Sequence, residues 1–188
     1  LIAVTEREGA LELERVAVGD HILLGGDNMD LALAHVVKNK LTAEGKTLDP
    51  WQVQALTHGC RQAKEALLAD AAIDAVPVVV PSRGSRLIGG SIRTELTRDE
   101  VARTLIDGFF PEVAASARPG ARARGALTRL GLPYAQDPAI TRHLAAFLSA
   151  QTGATADLPG FASRPAGSFL HPTAVLFNGG VFKAGVLA

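Results

Sequence analysis

The sequence holds one cysteine, one tryptophan, one tyrosine and one methionine among 188 residues, and its formal net charge is zero. Each scarcity excludes something. With Cys60 alone, no disulfide can form within the chain, a usage that favours a reducing compartment. Nineteen basic residues balance nineteen acidic ones, so the chain lacks the basic excess that phosphate-backbone contacts require. The densest basic stretch, Arg118, Arg122, Arg124 and Arg129, contains no aromatic residue that could stack on a base. No window reaches the run of about 18 apolar residues needed to cross a bilayer. No basic-then-apolar leader is visible in these residues. The expectation is a cytoplasmic protein with no nucleic-acid or membrane partner.

What is present is apolar and small. Apolar residues make up 47% of the chain and aromatics only 5%, which suits a core packed by close backbone approach more than by large rings. A domain of this length buries about 70% of its extended-chain surface. Leu1 to Val4 opens the chain inside an apparent strand, as expected of a piece whose natural start lies upstream.

A hairpin is expected first, with Leu1–Val4 and Leu11–Val18 joined through Thr5 to Gly9. Met29, Leu33, Val36, Val37 and Lys40 then recur at helical spacing, the Lys40 stem covering apolar surface. The clearest helix begins at Asp49-Pro50, where aspartate accepts free amides and proline loses no hydrogen bond. Its stripe is Val53, Leu56, Cys60, Ala63 and Leu67, with Arg61, Lys64 and Glu65 on the opposite face. Cys60 on that stripe reads as a buried structural thiol. Val76–Val80 follows as a strand, Ser82–Ser85 as a turn, and Arg86–Ile88 as the next extended piece. Thr97 and Glu100 have capping-box spacing, which predicts a helix over 98–108 with Val101, Leu105 and Phe109 buried.

A short helix is expected around Ala121–Leu130. Asp137-Pro138 repeats the aspartate–proline start, with Ile140, Leu144, Phe147 and Leu148 as the stripe of the helix that follows. Thr155 to Pro172 reads as irregular, Thr173–Phe177 as a buried strand ended by Asn178-Gly179-Gly180, and Val181–Leu187 as the beginning of a helix. The order of elements implies α/β with an attached subdomain.

Two glycine pairs, Gly25-Gly26 and Gly179-Gly180, could bring backbone amides close to a phosphate or sugar, or serve only as tight turns. The phosphate-loop pattern and the dinucleotide G-x-G-x-x-G pattern are absent. His21, His35, His58, His143 and His171 lack metal-ligand spacing.

The glycine pairs sit in segments that together resemble the seventy-kilodalton (DnaK-like) heat-shock chaperones. Val18–Asp30 resembles that family's G-D-T-x-L-G-G-x-D-F-D segment, with Asn28 at an acidic position and Met29 at the phenylalanine. Cys60–Leu67 resembles C-E-R-A-K-R-x-L. Gly90–Arg93 through Glu95–Arg98 lies where the family has its S-I-T-R stretch, and Val175–Lys183 resembles the adenosine motif V-L-V-G-G-S-x-R. The four occur in family order across most of the chain. Gly131–Ala135 and Asp137–His143 look like a divergent bacterial branch.

The resemblance implies an actin-like ATPase fold, and within it a second-lobe fragment with an α-rich subdomain or insertion. Residues 1–188 would be a partial nucleotide-binding domain, with about 40–110 as the upper-lobe subdomain, 111–172 a divergent insertion and 173–188 a return to the adenosine-side core. By the same resemblance Gly25, Gly26, Arg61, Lys64, Glu65, Gly179, Gly180, Val181 and Lys183 are the cofactor-binding positions. Lys64 matches the family lysine that approaches ribose. Arg61 stands at an acidic ribose contact and Glu65 at an adenine-stacking arginine, a charge swap across one helical turn that could also be a simple i,i+4 pair. Val181 replaces a serine and Lys183 a base-stacking arginine. ATP or ADP with magnesium would be the parent's ligands, and its missing first lobe, client-binding region, co-chaperones and clients its partners. The family's phosphate loops and catalytic lysine are not among these residues, so no catalytic residue is assigned and activity of the chain alone is not expected. Asp20, Asp27 and Asp30 read as turn, cap or inter-lobe residues. A nucleotide-independent protein-binding module of the same fold, and a fragment of a small-molecule kinase relative, remain open.

Overall fold

The computed structural model describes residues 1–82, 91–120, 137–158, 161, 169–184 and 187. Among them are four α-helices and two small antiparallel sheets of two strands each, a mixed α/β arrangement. Strands β1 (Ile2–Arg7) and β2 (Ala10–Arg15) form the first sheet, and β3 (Ala75–Val80) and β4 (Ile92–Thr97) the second. The helices are α1 (Gly26–Ala43), α2 (Pro50–Ala69), α3 (Arg98–Phe109) and α4 (Ile140–Ala150).

The core lies where α1, α2 and α3 meet the β3–β4 sheet. Met29, Leu33, Val37 and Leu41 from α1 pack with Leu56, Cys60, Ala63 and Leu67 from α2, and with Val101, Leu105 and Phe109 from α3. Val78 and Val80 of β3 point inward while Pro77 and Val79 point out, the period of two that one-sided burial demands. Gly59 lets α2 approach the sheet, because a Cβ there would stand 3.0 Å from Val78 Cγ1. Burial raises the Cys60 thiol to about 12, with smaller contributions from the negative charges of Asp30 and Glu100. The thiol is structural, as its place on the stripe predicts.

Local signals set the helix starts. Asp49 accepts from the Gln52 amide at 2.8 Å, and the Gln52 side chain accepts from the Asp49 amide at 3.1 Å. Thr97 and Glu100 make the same reciprocal pair at 3.2 and 2.9 Å. Burial pushes the Glu100 carboxyl up, but the Thr97 amide and the Lys40 ammonium outweigh it and hold the group below its ordinary value. Lys40 lies 3.1 Å from Glu100 Oε1 and also donates to the Glu95 carbonyl, so it ties α1 to the β4–α3 junction. Arg98 closes the other end of α2 by donating to the carbonyls of Leu67, Asp70 and Ile73, a cation placed where the helix dipole favours it.

Several expectations are corrected. In the first hairpin the strands run on to Arg7 and resume at Ala10, leaving Glu8 and Gly9 as a two-residue turn with φ of 52° and 80°. β4 is a strand that periodicity alone did not announce, whereas Arg86–Ile88 and Ala121–Leu130 lie outside the described residues. Asp137 does not cap α4. It is buried, accepting from the amides of Gly120 (2.8 Å) and Ala139 (2.9 Å) and pairing with Arg142 at 3.0 Å, while Ala139 precedes the helix. Burial again raises this carboxyl, but the two amides and Arg142 hold it low. On α4 the buried positions are Ala145 and Leu148, and Leu144 is 48% exposed. That helix is anchored at its edges, Thr141 donating to the Pro111 carbonyl and Ser149 to that of Ala115.

The largest correction is at Thr173–Phe177. It forms no strand and is exposed throughout, with Leu176 at 94%. Hydrophobicity alone cannot bury a segment that no sheet edge among the described residues receives. Beyond it, Val181–Lys183 is a single 3-10 turn.

Candidate functional site

The first turn of α1, α2 from its middle to its end, and the 3-10 turn line a half-open cavity of about 620 Å³, within the size range of small-molecule sites. Seven of the nine sequence-nominated residues line it: Gly26, Arg61, Lys64, Glu65, Gly180, Val181 and Lys183. They come from three segments, the last more than a hundred residues beyond the other two. Gly25 and Gly179 stand beside the wall without forming it. Gly25 precedes α1, and its amide donates to Asn28 Oδ1 at 2.8 Å. Gly179 has φ of 105°, a conformation open to glycine, and turns the chain into the 3-10 segment.

Aromatic contacts hold that last segment in place. Phe182 stacks edge-on to Phe110 at 5.8 Å, at the end of α3, and Phe177 lies 4.7 Å from Phe182. Leu187 packs in the core, with Val181 and Ala184 against it. Gly26 has no Cβ, and one built there would lie 3.7 Å from Lys64 Nζ and 4.0 Å from Val181 Cγ2, so its absence widens the meeting point of all three segments.

The polar half of the wall centres on Asp30, a carboxylate only 1% exposed. Its Oδ2 accepts from Arg61 Nε at 2.6 Å. Its Oδ1 lies 2.6 Å from Lys64 Nζ, an ion-pair distance at an angle outside hydrogen-bond geometry. Arg61 also pairs with Asp27, which is exposed on the first turn of α1. The hydrogen bond and charge of Asp30, then the charge of Asp27, raise the pKa of the Arg61 guanidinium further above its ordinary value. This two-cation, two-anion cluster satisfies much of its own charge.

Two expectations change here. Lys64 is buried, not on the outer face of α2, because Asp30 draws its ammonium inward across the α1–α2 contact. Among the described residues Arg61 pairs with Asp27 and Asp30 of α1 and makes no ion pair with Glu65. Asp27 and Asp30, which the sequence offered as turn, cap or inter-lobe residues, stand in the site as the counter-ions of Arg61 and Lys64. The available signal was their spacing of three on one helical turn, opposite a helix bearing Arg61 and Lys64 at the same spacing.

No group of His, Cys, Asp and Glu that could hold a metal ion occurs among the described residues. No described helix is long and apolar enough to cross a membrane. No protein-family model matches this chain, and no curated protein matches it either.

Proposed function

We propose that this chain supplies the second-lobe wall of the nucleotide site of a DnaK-like chaperone ATPase with an actin-like fold. The observation that carries the reading is the convergence of Gly26, Arg61, Lys64, Glu65, Gly180, Val181 and Lys183 on one nucleoside-sized cavity. Those positions belong to three separate segments of the sequence, each resembling a motif of that family. A cytoplasmic setting, a first lobe bearing the phosphate loops, and a client-binding region belong to the same proposal.

The cavity suits the nucleoside part of ATP or ADP, with Lys64 able to donate to ribose hydroxyls while it holds Asp30. It does not suit magnesium through Asp30, both of whose oxygens already face cations at 2.6 Å. Phosphoryl transfer needs positioned charges on both sides of the nucleotide, and this wall supplies one side. The chain alone is therefore a weak binder without hydrolytic activity.

The test is amide chemical-shift mapping with ADP, and GDP alongside. The expected result is shifts confined to the residues around Gly26, Lys64 and Val181, with Kd of about a millimolar. Absence of shifts there at millimolar nucleotide would remove the nucleotide reading. A low-micromolar Kd, or nucleotide hydrolysis by the purified chain, would instead remove the claim that the site is partial. A second reading, a nucleotide-independent binding module of the same fold, is favoured by one observation: the Arg61–Asp30–Lys64 cluster is already charge-paired.

A further inference from the structure

We infer that Phe182 is a positioning residue that holds the third wall of the cavity in place, an inference that rests on the nucleotide-site reading above. Two walls are helices, α1 and α2, fixed to each other by buried apolar side chains and the Asp30 ion pairs. The third is the 3-10 turn, which has far less to hold it. Residues 171–180, leading into the turn, are exposed throughout. No backbone hydrogen bond among the described residues ties down 173–179, and within the turn the Lys183 amide donates to the Gly180 carbonyl at 3.3 Å. Leu187 fastens the far end by packing in the core.

Phe182 supplies the hold on the near side. Val181 and Lys183, its two neighbours in the chain, line the cavity, and Phe182 itself does not. Its ring meets that of Phe110 edge to face, with centroids 5.8 Å apart and planes at 64°. Phe110 caps the end of α3 and packs against the core, so the contact fastens the turn to a fixed element. The Phe177 ring, 4.7 Å away, adds a second contact from the exposed segment. Such ring pairs attract beyond the area they bury, and they fix orientation as well as distance. With the turn held there, Val181 Cγ2 stands 4.0 Å from a Cβ built at Gly26, which closes the third wall onto the first. A wall ordered before the ligand arrives does not have to be ordered when it binds, so the ring acts on affinity without touching the ligand.

Two measurements on the 188-residue chain read this role. Without ligand, a nuclear Overhauser contact between the Val181 methyls and the Gly26 α-protons reports where the wall stands. It should be present in the unmodified chain and lost in Phe182→Ala, while circular dichroism shows the helices retained. With ADP, Phe182→Ala should raise Kd by about fivefold, the size of a lost aromatic pair. Amide shifts at Val181 and Lys183 should vanish while those at Gly26 and Lys64 persist, a pattern that a general loss of stability would not produce. Phe182→Leu keeps apolar bulk and should show the same losses in smaller measure, and it serves if the alanine variant unfolds. Phe182→Tyr keeps the ring and should retain both the contact and the affinity. A Val181–Gly26 contact missing from the unmodified chain or persisting in Phe182→Ala, or an ADP affinity unaltered in that variant, would overturn the positioning role while leaving a nucleotide site. Absence of ADP shifts in the unmodified chain would remove the nucleotide reading, and the Val181–Gly26 contact would then decide the positioning role by itself.

Discussion

Val76–Val80 and Thr173–Phe177 are the same kind of sequence, short apolar runs bounded by turn residues, yet they end in opposite environments. In the first, Val78 and Val80 are 1% and 0% exposed. In the second, Val175 and Leu176 are 57% and 94% exposed. The difference is the partner. β3 has β4 along one edge and α2 at its back, brought close by Gly59. Thr173–Phe177 has neither among the described residues, and only Phe177 finds a neighbour, in Phe182. The β1–β2 ribbon behaves like the second run. Ile2, Val4, Leu11 and Leu13 share one exposed face, with only Ala3 buried behind them. Apolar character states what a segment would gain from cover, and tertiary contacts decide whether it gets it.

The comparison can be broken most severely at the buried ion cluster. Asp30→Ala leaves Lys64 buried without its counter-ion and should cost about 3–5 kcal/mol, read as a lower urea midpoint. A loss below about 1 kcal/mol would mean that the cluster is solvated and the two regions less different than described. Next comes a matched pair of truncations. Leu96→Ala in β4, at 0% exposure, should cost about 2–5 kcal/mol. Leu176→Ala should leave stability within about 0.5 kcal/mol. Equal losses would show that Thr173–Phe177 is covered in solution.

The smallest effect sharpens the comparison by pH. Glu100 and Asp137 both have folded-state pKa values held below those of free carboxyls. Their contribution is present above the unfolded pKa of about 4 and is lost as pH falls through the lower folded values. Stability should therefore drop below about pH 4. Glu100→Gln should lower stability at neutral pH and make the acid loss shallower, measured by urea unfolding at stepped pH. An unchanged acid slope would remove Glu100 as a contributor.

The helix starts were legible because their causes are local. Asp49 with Gln52, and Thr97 with Glu100, bond across three residues, and the stripe from Leu56 to Leu67 repeats with the helix period. Of the candidate site, the cations and glycines were legible through the family resemblance. Their counter-ions were not. The Asp30–Arg61 pair joins residues 31 apart, and nothing in either helix alone requires it. Lys64 sits at the edge of the stripe, where spacing assigns it to the outer face and Asp30 assigns it inward.

Asp137 shows the same limit. Its aspartate–proline pair matches a helix start, but the Gly120 amide, 17 residues earlier, competes for the carboxylate and holds it as a buried anchor. Sequence by itself determined where helices α1, α2 and α3 form, because capping and periodicity act within one or two turns. Which apolar surfaces are covered, where Lys64 points and which charges pair were decided only by the tertiary structure, because desolvation and ion pairing depend on neighbours that the chain brings together from afar.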